Sequence, residues 1–228
     1  MKKILFLTVA GMLMSSAAHA ATITVGGTTD VNGTSGSGWT TSFAGATVWD
    51  FESASPSDSV FSWTYGAGQV VTGTGGPGVY AAPGDGGTYE DYTKYLAVGP
   101  GSASVSLDKD YNYFGLYWGS MDATVWVTNT ITFYNNGSVV KTYTADDVTS
   151  DPSGSWYDPD TNGYVNFYDL PAYDQVVFVS GGSNGHAFEL DNVAVGNSPV
   201  PEPATMLLFG AGLVGLVGTA RRRLGKCN

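Results

Sequence analysis

The chain is short of cysteine, histidine and positive charge, and each shortage removes a class of explanation. Its one cysteine, Cys227, is the penultimate residue, so neither disulfides nor zinc–thiolate sites hold the interior of the chain together. Of the two histidines, His19 lies in the apolar leader, which leaves His186 as the sole imidazole between residues 21 and 196. A nucleophile–histidine–acid triad would have to be built on that one residue, and no serine stands in a nucleophile-elbow setting. The expectation is a protein that is not an enzyme. Positive charge is equally scarce. Residues 21–196 hold nineteen carboxylates against Lys94, Lys109 and Lys141, leaving sixteen negative charges uncompensated. Such a surface excludes nucleic acid and anionic headgroups as natural partners and makes a divalent cation a plausible one. Helical periodicity is missing too, since no segment of this region sustains an apolar repeat of 3.6 residues.

What is present begins at the two ends. Lys2-Lys3, the apolar run Ile4–Met14 and Ala18-His19-Ala20 have the order of an export leader, a signal helix over residues 1–20 cut so that the mature chain starts at Ala21. At the other end a linker over 197–203 contains Pro201-Glu202-Pro203. A continuous apolar segment over 204–220 follows, then Arg221-Arg222-Arg223 within the tail 221–228. As a transmembrane helix those apolar residues reach about 25 Å, slightly short of the roughly 30 Å hydrocarbon core. The arginines predict a cytoplasmic tail by the positive-inside rule. The Pro-Glu-Pro joint, marginal span and basic stop together resemble the PEP-CTERM sorting signal. That resemblance implies recognition by a membrane exosortase, an inner-membrane-anchored precursor, and delivery to the cell surface or extracellular matrix.

The region between, 21–196, is the size of one domain and reads as strands. Ala103, Val105 and Leu107 alternate with serines, and Ile131 and Phe133 with Thr132 and Tyr134. Asn136-Gly137 then predicts a type I′ hairpin into Ser138–Thr144. Further strands are expected at 48–51, 60–65, 69–72, 94–98, 113–118, 164–168, 175–180 and 187–195. The glycine-rich run 73–87 reads as a long surface loop. Many short strands without helices indicate an all-β fold, an antiparallel β-sandwich of jelly-roll type.

Two acidic strands stand out. Trp49-Asp50-Phe51-Glu52 puts two carboxylates on one face, and Phe188-Glu189-Leu190-Asp191-Asn192-Val193 changes parity near Asn192, where a bulge would re-aim Asp191. With Phe114–Ser120 and the Asn136-Gly137 hairpin, these strands resemble carbohydrate-binding-module jelly rolls and a family of exosortase-dependent surface proteins. The resemblance implies that Asp50, Glu52 and Asp191 meet around a structural calcium (Ca2+). The same residues read equally well as solvated edge carboxylates.

A second cation candidate is Asp158-Pro159-Asp160-Thr161-Asn162-Gly163, continuing to Asp169, whose side chains fall near the spacing of an EF-hand loop. Its other reading is an Asx-rich turn launching a strand from Tyr164. Among the aromatics, Trp49 and Trp118 sit in apolar strands as core residues. Trp63 with Tyr65, and Trp156 with Tyr157, lie by polar turns as platforms for sugar rings. The function expected is structural or adhesive, with exopolysaccharide as ligand; the alternative is a calcium-stabilised, glycan-active hydrolase.

Overall fold

The computed structural model describes residues 20–29, 38–75, 79–84, 90–181 and 186–198. Ala18, the Pro201–Pro203 joint, the expected span 204–220 and Arg221–Arg223 lie outside them, whereas Ala20 and Ala21 open the described body. Residues Ala20–Pro199 form one compact unit. Among the described residues no helix is long and apolar enough to cross a membrane.

The unit is an antiparallel β-sandwich, and its fourteen strands among the described residues run β1 Thr22–Val25, β2 Thr28–Thr29, β3 Trp39–Thr40, β4 Thr47–Trp49, β5 Phe61–Thr64, β6 Gly68–Thr72, β7 Lys94–Val98, β8 Gly101–Tyr111, β9 Tyr113–Gly119, β10 Asn129–Asn135, β11 Ser138–Thr144, β12 Gly163–Tyr168, β13 Tyr173–Ser180 and β14 Phe188–Gly196. The larger sheet has the order β1-β12-β9-β14-β7-β6, with β4 also paired to β14; the smaller has the order β11-β10-β13-β8-β5. From β7 onward the chain passes back and forth between the sheets, with the β10–β11 hairpin as the one double step. That hairpin has the predicted turn: Asn136 and Gly137 adopt φ of 48° and 75°.

The alternating apolar residues meet between the sheets. Phe61, Trp63 and Val105 come from one side, Phe114, Leu116, Trp118, Phe188 and Leu190 from the other, all buried in a single cluster. Each such side chain contributes about 1.5–3 kcal/mol of transfer free energy. The larger sheet is covered on its second face as well. Every residue of β9 and β14 is buried, including those that point away from the inter-sheet core. Part of the cover is the segment expected as a surface loop, of which Ala81–Gly84 are buried. At Gly119 the loop lies so close that a Cβ there would meet the Pro83 Cα at 2.8 Å. Residues 81–84 therefore cover the sheet, which the glycine content of the segment alone did not reveal.

Candidate functional site

Register dictates which polar side chains share the covered face. In β9 and its neighbours Tyr117 stands beside Tyr164 and Asp191, and Gly119 beside Glu189. Tyr113, Tyr117 and Tyr164 form a second cluster there with Ala194, against which Trp39, Phe43 and Tyr168 pack. The hydroxyls are used internally: Tyr164 donates to the Asn192 carbonyl at 3.0 Å and Tyr113 to Asn166 Oδ1 at 2.7 Å. A covered sheet face filled with tyrosine, asparagine and carboxylate is a polar interior, and its unmatched groups are the places to look for function.

The first unmatched group lies at the expected bulge. The β14–β9 register shifts between Asp191 and Ala194, and Asn192 takes a left-handed φ of 48°. Along its other edge β14 pairs with β7 through Leu190 and with β4 from Val193 onward. Asp191 thus sits at the seam where one partner strand replaces another. Across this seam it faces Asp91, both side chains being fully buried. Asp91 Oδ1 accepts the Thr93 amide at 2.8 Å and the Thr93 hydroxyl at 2.6 Å, but Asp91 Oδ2 and both oxygens of Asp191 have no hydrogen-bond partner. Burial, and then the charge of Asp91, hold the Asp191 carboxyl well above the usual carboxylate range. Burial likewise raises Asp91, against the pull of Thr93. Two facing carboxyls with three orphan oxygens must share a proton or hold a cation.

The calcium expectation needs correction in its membership. Asp50 and Glu52 are exposed, as the strand parity implied, but Glu52 turns to Lys94: its Oε1 accepts the Lys94 amide at 2.7 Å and its Oε2 pairs with Nζ at 3.4 Å. Asp50 Oδ1 accepts the Glu52 amide, and its charge reaches Asp191 only as a weaker contribution. Asp91, which sequence reasoning did not single out, is the nearer partner. Among the described residues no group of three or more His, Cys, Asp or Glu side chains is arranged to hold a metal ion.

Residues 199–223 match the PEP-CTERM protein-sorting motif. The chain carries an exosortase-dependent sorting signal. A PEP-CTERM signal implies export and exosortase-dependent sorting to the surface. Comparison with curated proteins and with solved structures gave no match for the chain, so the carbohydrate-binding-module resemblance of the body stays without support from a relative.

The EF-hand-like spacing is overturned by the strand it runs into. Asn162 is buried and fully engaged: its Oδ1 accepts the Ser120 amide at 2.8 Å and the Gly84 amide at 3.2 Å, and its Nδ2 donates to the carbonyls of Ser155, Trp156 and Asp158. Asp158 Oδ1 accepts the Asp160 amide in an Asx turn. Asp169 lies beyond the far end of β12, about 20 Å along an extended chain from Asn162. Six extended residues separate what a calcium loop would fold together, and the turn reading holds.

The aromatic platforms divide. Trp63 is 5% exposed and packs in the inter-sheet core against Phe51 and Phe178, which overturns its reading as a platform; Tyr65 stacks on its edge of that core, half-buried. Trp156 and Tyr157 lie where expected, Tyr157 being 68% exposed. With Trp39, Tyr117, Asp158 and Asn162 they line a cavity of about 270 Å³. Trp156 also borders a second cavity of about 600 Å³, whose walls include Asp122, Trp126, Ser153, His186 and Glu189. Glu189 is the best-held carboxyl of the face: Oε1 accepts the Ala81 amide at 3.1 Å and Oε2 the Ser120 hydroxyl at 2.9 Å. Burial nevertheless pushes it up to about 8.

Proposed function

We propose that the mature body is a non-catalytic, polysaccharide-binding component of the cell surface or extracellular matrix, with calcium on the Asp91–Asp191 pair as a structural element. The observation that carries the saccharide reading is the cavity bounded by Trp39, Trp156 and Tyr157. Flat rings stand beside the half-buried Asp158 there, the combination that stacks on sugar faces while hydrogen-bonding hydroxyls. A surface destination set by the sorting signal would put this cavity among secreted glycans. The three orphan carboxylate oxygens support the calcium reading; carbonyls and water would have to complete the six to eight oxygens that calcium takes.

Affinity electrophoresis through the producer's own exopolysaccharide tests the saccharide reading. The body should be retarded, and Trp156→Ala or Tyr157→Ala should restore free migration while leaving the thermal midpoint little changed. Free migration of the unaltered body would leave a structural or protein-binding role instead.

One observation favours the competing hydrolase: Glu189, held in its acid form beside a cavity that also contains Asp122, has the protonation of a general acid. Against it, Glu189 is 2% exposed and both of its oxygens are taken by protein donors. Release of reducing ends from the exopolysaccharide, lost in Glu189→Gln, would decide for hydrolysis.

A further inference from the structure

The larger cavity next to Trp156 has an unusual charge arrangement. Asp122 is buried in its wall, only 6% exposed, and Gly154 presses against its carboxylate so closely that a Cβ there would meet Asp122 Oδ1 at 2.2 Å. Gly154 also has a left-handed φ of 66°, so both its space and its backbone demand glycine. Among the described residues His186 is the neighbour whose charge favours the Asp122 carboxylate, and no lysine or arginine lines the cavity. Ser153 Oγ, in the same wall, is buried without a partner. Above them Trp126 is 64% exposed. Carboxylate, unpartnered hydroxyl and exposed indole line one cavity of about 600 Å³, within the range of about 300–1,000 Å³ usual for small-molecule sites.

We propose that this cavity is a subsite for a protonated amino sugar, a glycan residue bearing a free amine, within the same polysaccharide that stacks on Trp156. The inference rests on the saccharide reading above and names its chemical class. An ammonium group in the cavity would pair with the buried Asp122 carboxylate, with Ser153 left for a ring hydroxyl. Trp126 and Trp156 offer their faces to a cation as well as to a sugar ring. Uronic or sulfated residues would meet carboxylates on a body already carrying sixteen uncompensated negative charges. A lysine side chain would satisfy Asp122 too. The sugar is preferred because Trp156 belongs to both cavities, which places an aromatic stacking position directly next to the acidic one.

The experiment uses the body, residues 21–199, which holds both sheets and all three apolar clusters in one compact unit. Calorimetric titration compares a β-1,4-linked glucosamine hexamer with its fully N-acetylated counterpart. The amine form should bind about tenfold more tightly. Asp122→Asn should erase that preference and leave affinity for the acetylated hexamer intact. Asp110→Asn, which removes an equal charge from an exposed position on β8 of the other sheet, should retain the preference. Trp156→Ala should weaken both ligands. Equal affinity for the two hexamers, or a preference that survives Asp122→Asn, overturns the amine subsite while the saccharide reading stands. Failure of both hexamers to bind, together with free migration of the body in exopolysaccharide, overturns both. Pentalysine bound at the glucosamine affinity and lost in Asp122→Asn would reassign the cavity to a protein ligand and overturn the amino-sugar proposal.

Discussion

The Glu189 carboxyl offers a measurement whose sign and size both follow from its surroundings. Burial moves it from an ordinary value of 4.5 to about 8 against the pull of the Ala81 and Ser120 donors, so the folded state prefers the protonated form. At about 1.4 kcal/mol per pH unit, that preference amounts to about 5 kcal/mol. Because the folded value is the higher one, the contribution is complete below pH 4.5, is lost as pH rises toward 8, and is constant above it. Water entry and relaxation of the interior reduce such penalties, so we expect at least about 2 kcal/mol of the difference to survive. Glu189→Gln removes the titration and keeps the contacts: the amide oxygen can accept from Ala81, and the amide nitrogen can donate to the Ser120 hydroxyl, which accepts as readily as it donates. Urea unfolding followed by tryptophan fluorescence, in chelator, at pH 5, 6, 7 and 8 gives the comparison. The two proteins should be of similar stability at pH 5. The variant should gain on the parent at each step to pH 8. Curves that stay parallel across this window would show that Glu189 is ionised in the fold and that its two donors outweigh its burial.

Three further outcomes are expected. Calcium at a hundred times its dissociation constant should stabilise the body by about 2.7 kcal/mol, read by calorimetry; Asp191→Asn should abolish that gain and, in chelator, raise the midpoint by removing one of two facing carboxyls. Melting indifferent to calcium and chelator alike would leave the Asp91–Asp191 pair sharing a proton. Trp63→Ala should cost about 3–5 kcal/mol in urea and Trp156→Ala less than half as much, since only the first empties the inter-sheet core; equal losses would contradict the assignment. Intact mass of surface material should correspond to a chain ending near Pro203, and a species still ending at Asn228 in a host with the exosortase would remove the processing claim.

The strands were legible because burial on one face imposes a period of two, and the Asn136-Gly137 turn because positive φ at two successive positions restricts the residues that fit. The slip of parity in Phe188–Val195 correctly announced the bulge at Asn192. Trp63 was misread as a platform from its polar neighbours Ser62 and Thr64, which mark the opposite face; its shared parity with Phe61 in β5, both buried, was the cue that pointed to the core. The calcium-loop spacing misled for a geometric reason. A pattern of side chains says nothing of rise per residue, and a strand carries its last position about 20 Å away. What no local pattern held was the partnership of Asp91 with Asp191, a hundred residues apart and joined only when β7 and β4 meet the same edge of β14.

That seam shows how the fold can carry a costly pair. Phe51, bulky and buried, sits at a φ of 56° just after β4, and Asn192 at 48° on the strand it leaves. Left-handed conformations in non-glycine residues cost about 1–3 kcal/mol each and persist where surrounding packing overdetermines them. Here Phe51 is locked against Trp49 and Trp63, and Val193 and Val195 belong to the same apolar cluster. The inter-sheet core thus offsets strain at its edge, beside the Asp91–Asp191 pair. Glycine at position 51, which adopts positive φ without penalty, separates the two effects: it removes the strain and the Phe51 packing while leaving both carboxyls in place. If the seam is built for a cation, the calcium increment should persist in Phe51→Gly even as the calcium-free body loses stability. Loss of the increment with Asp91 and Asp191 intact would mean that position 51 is needed to hold the pair in register.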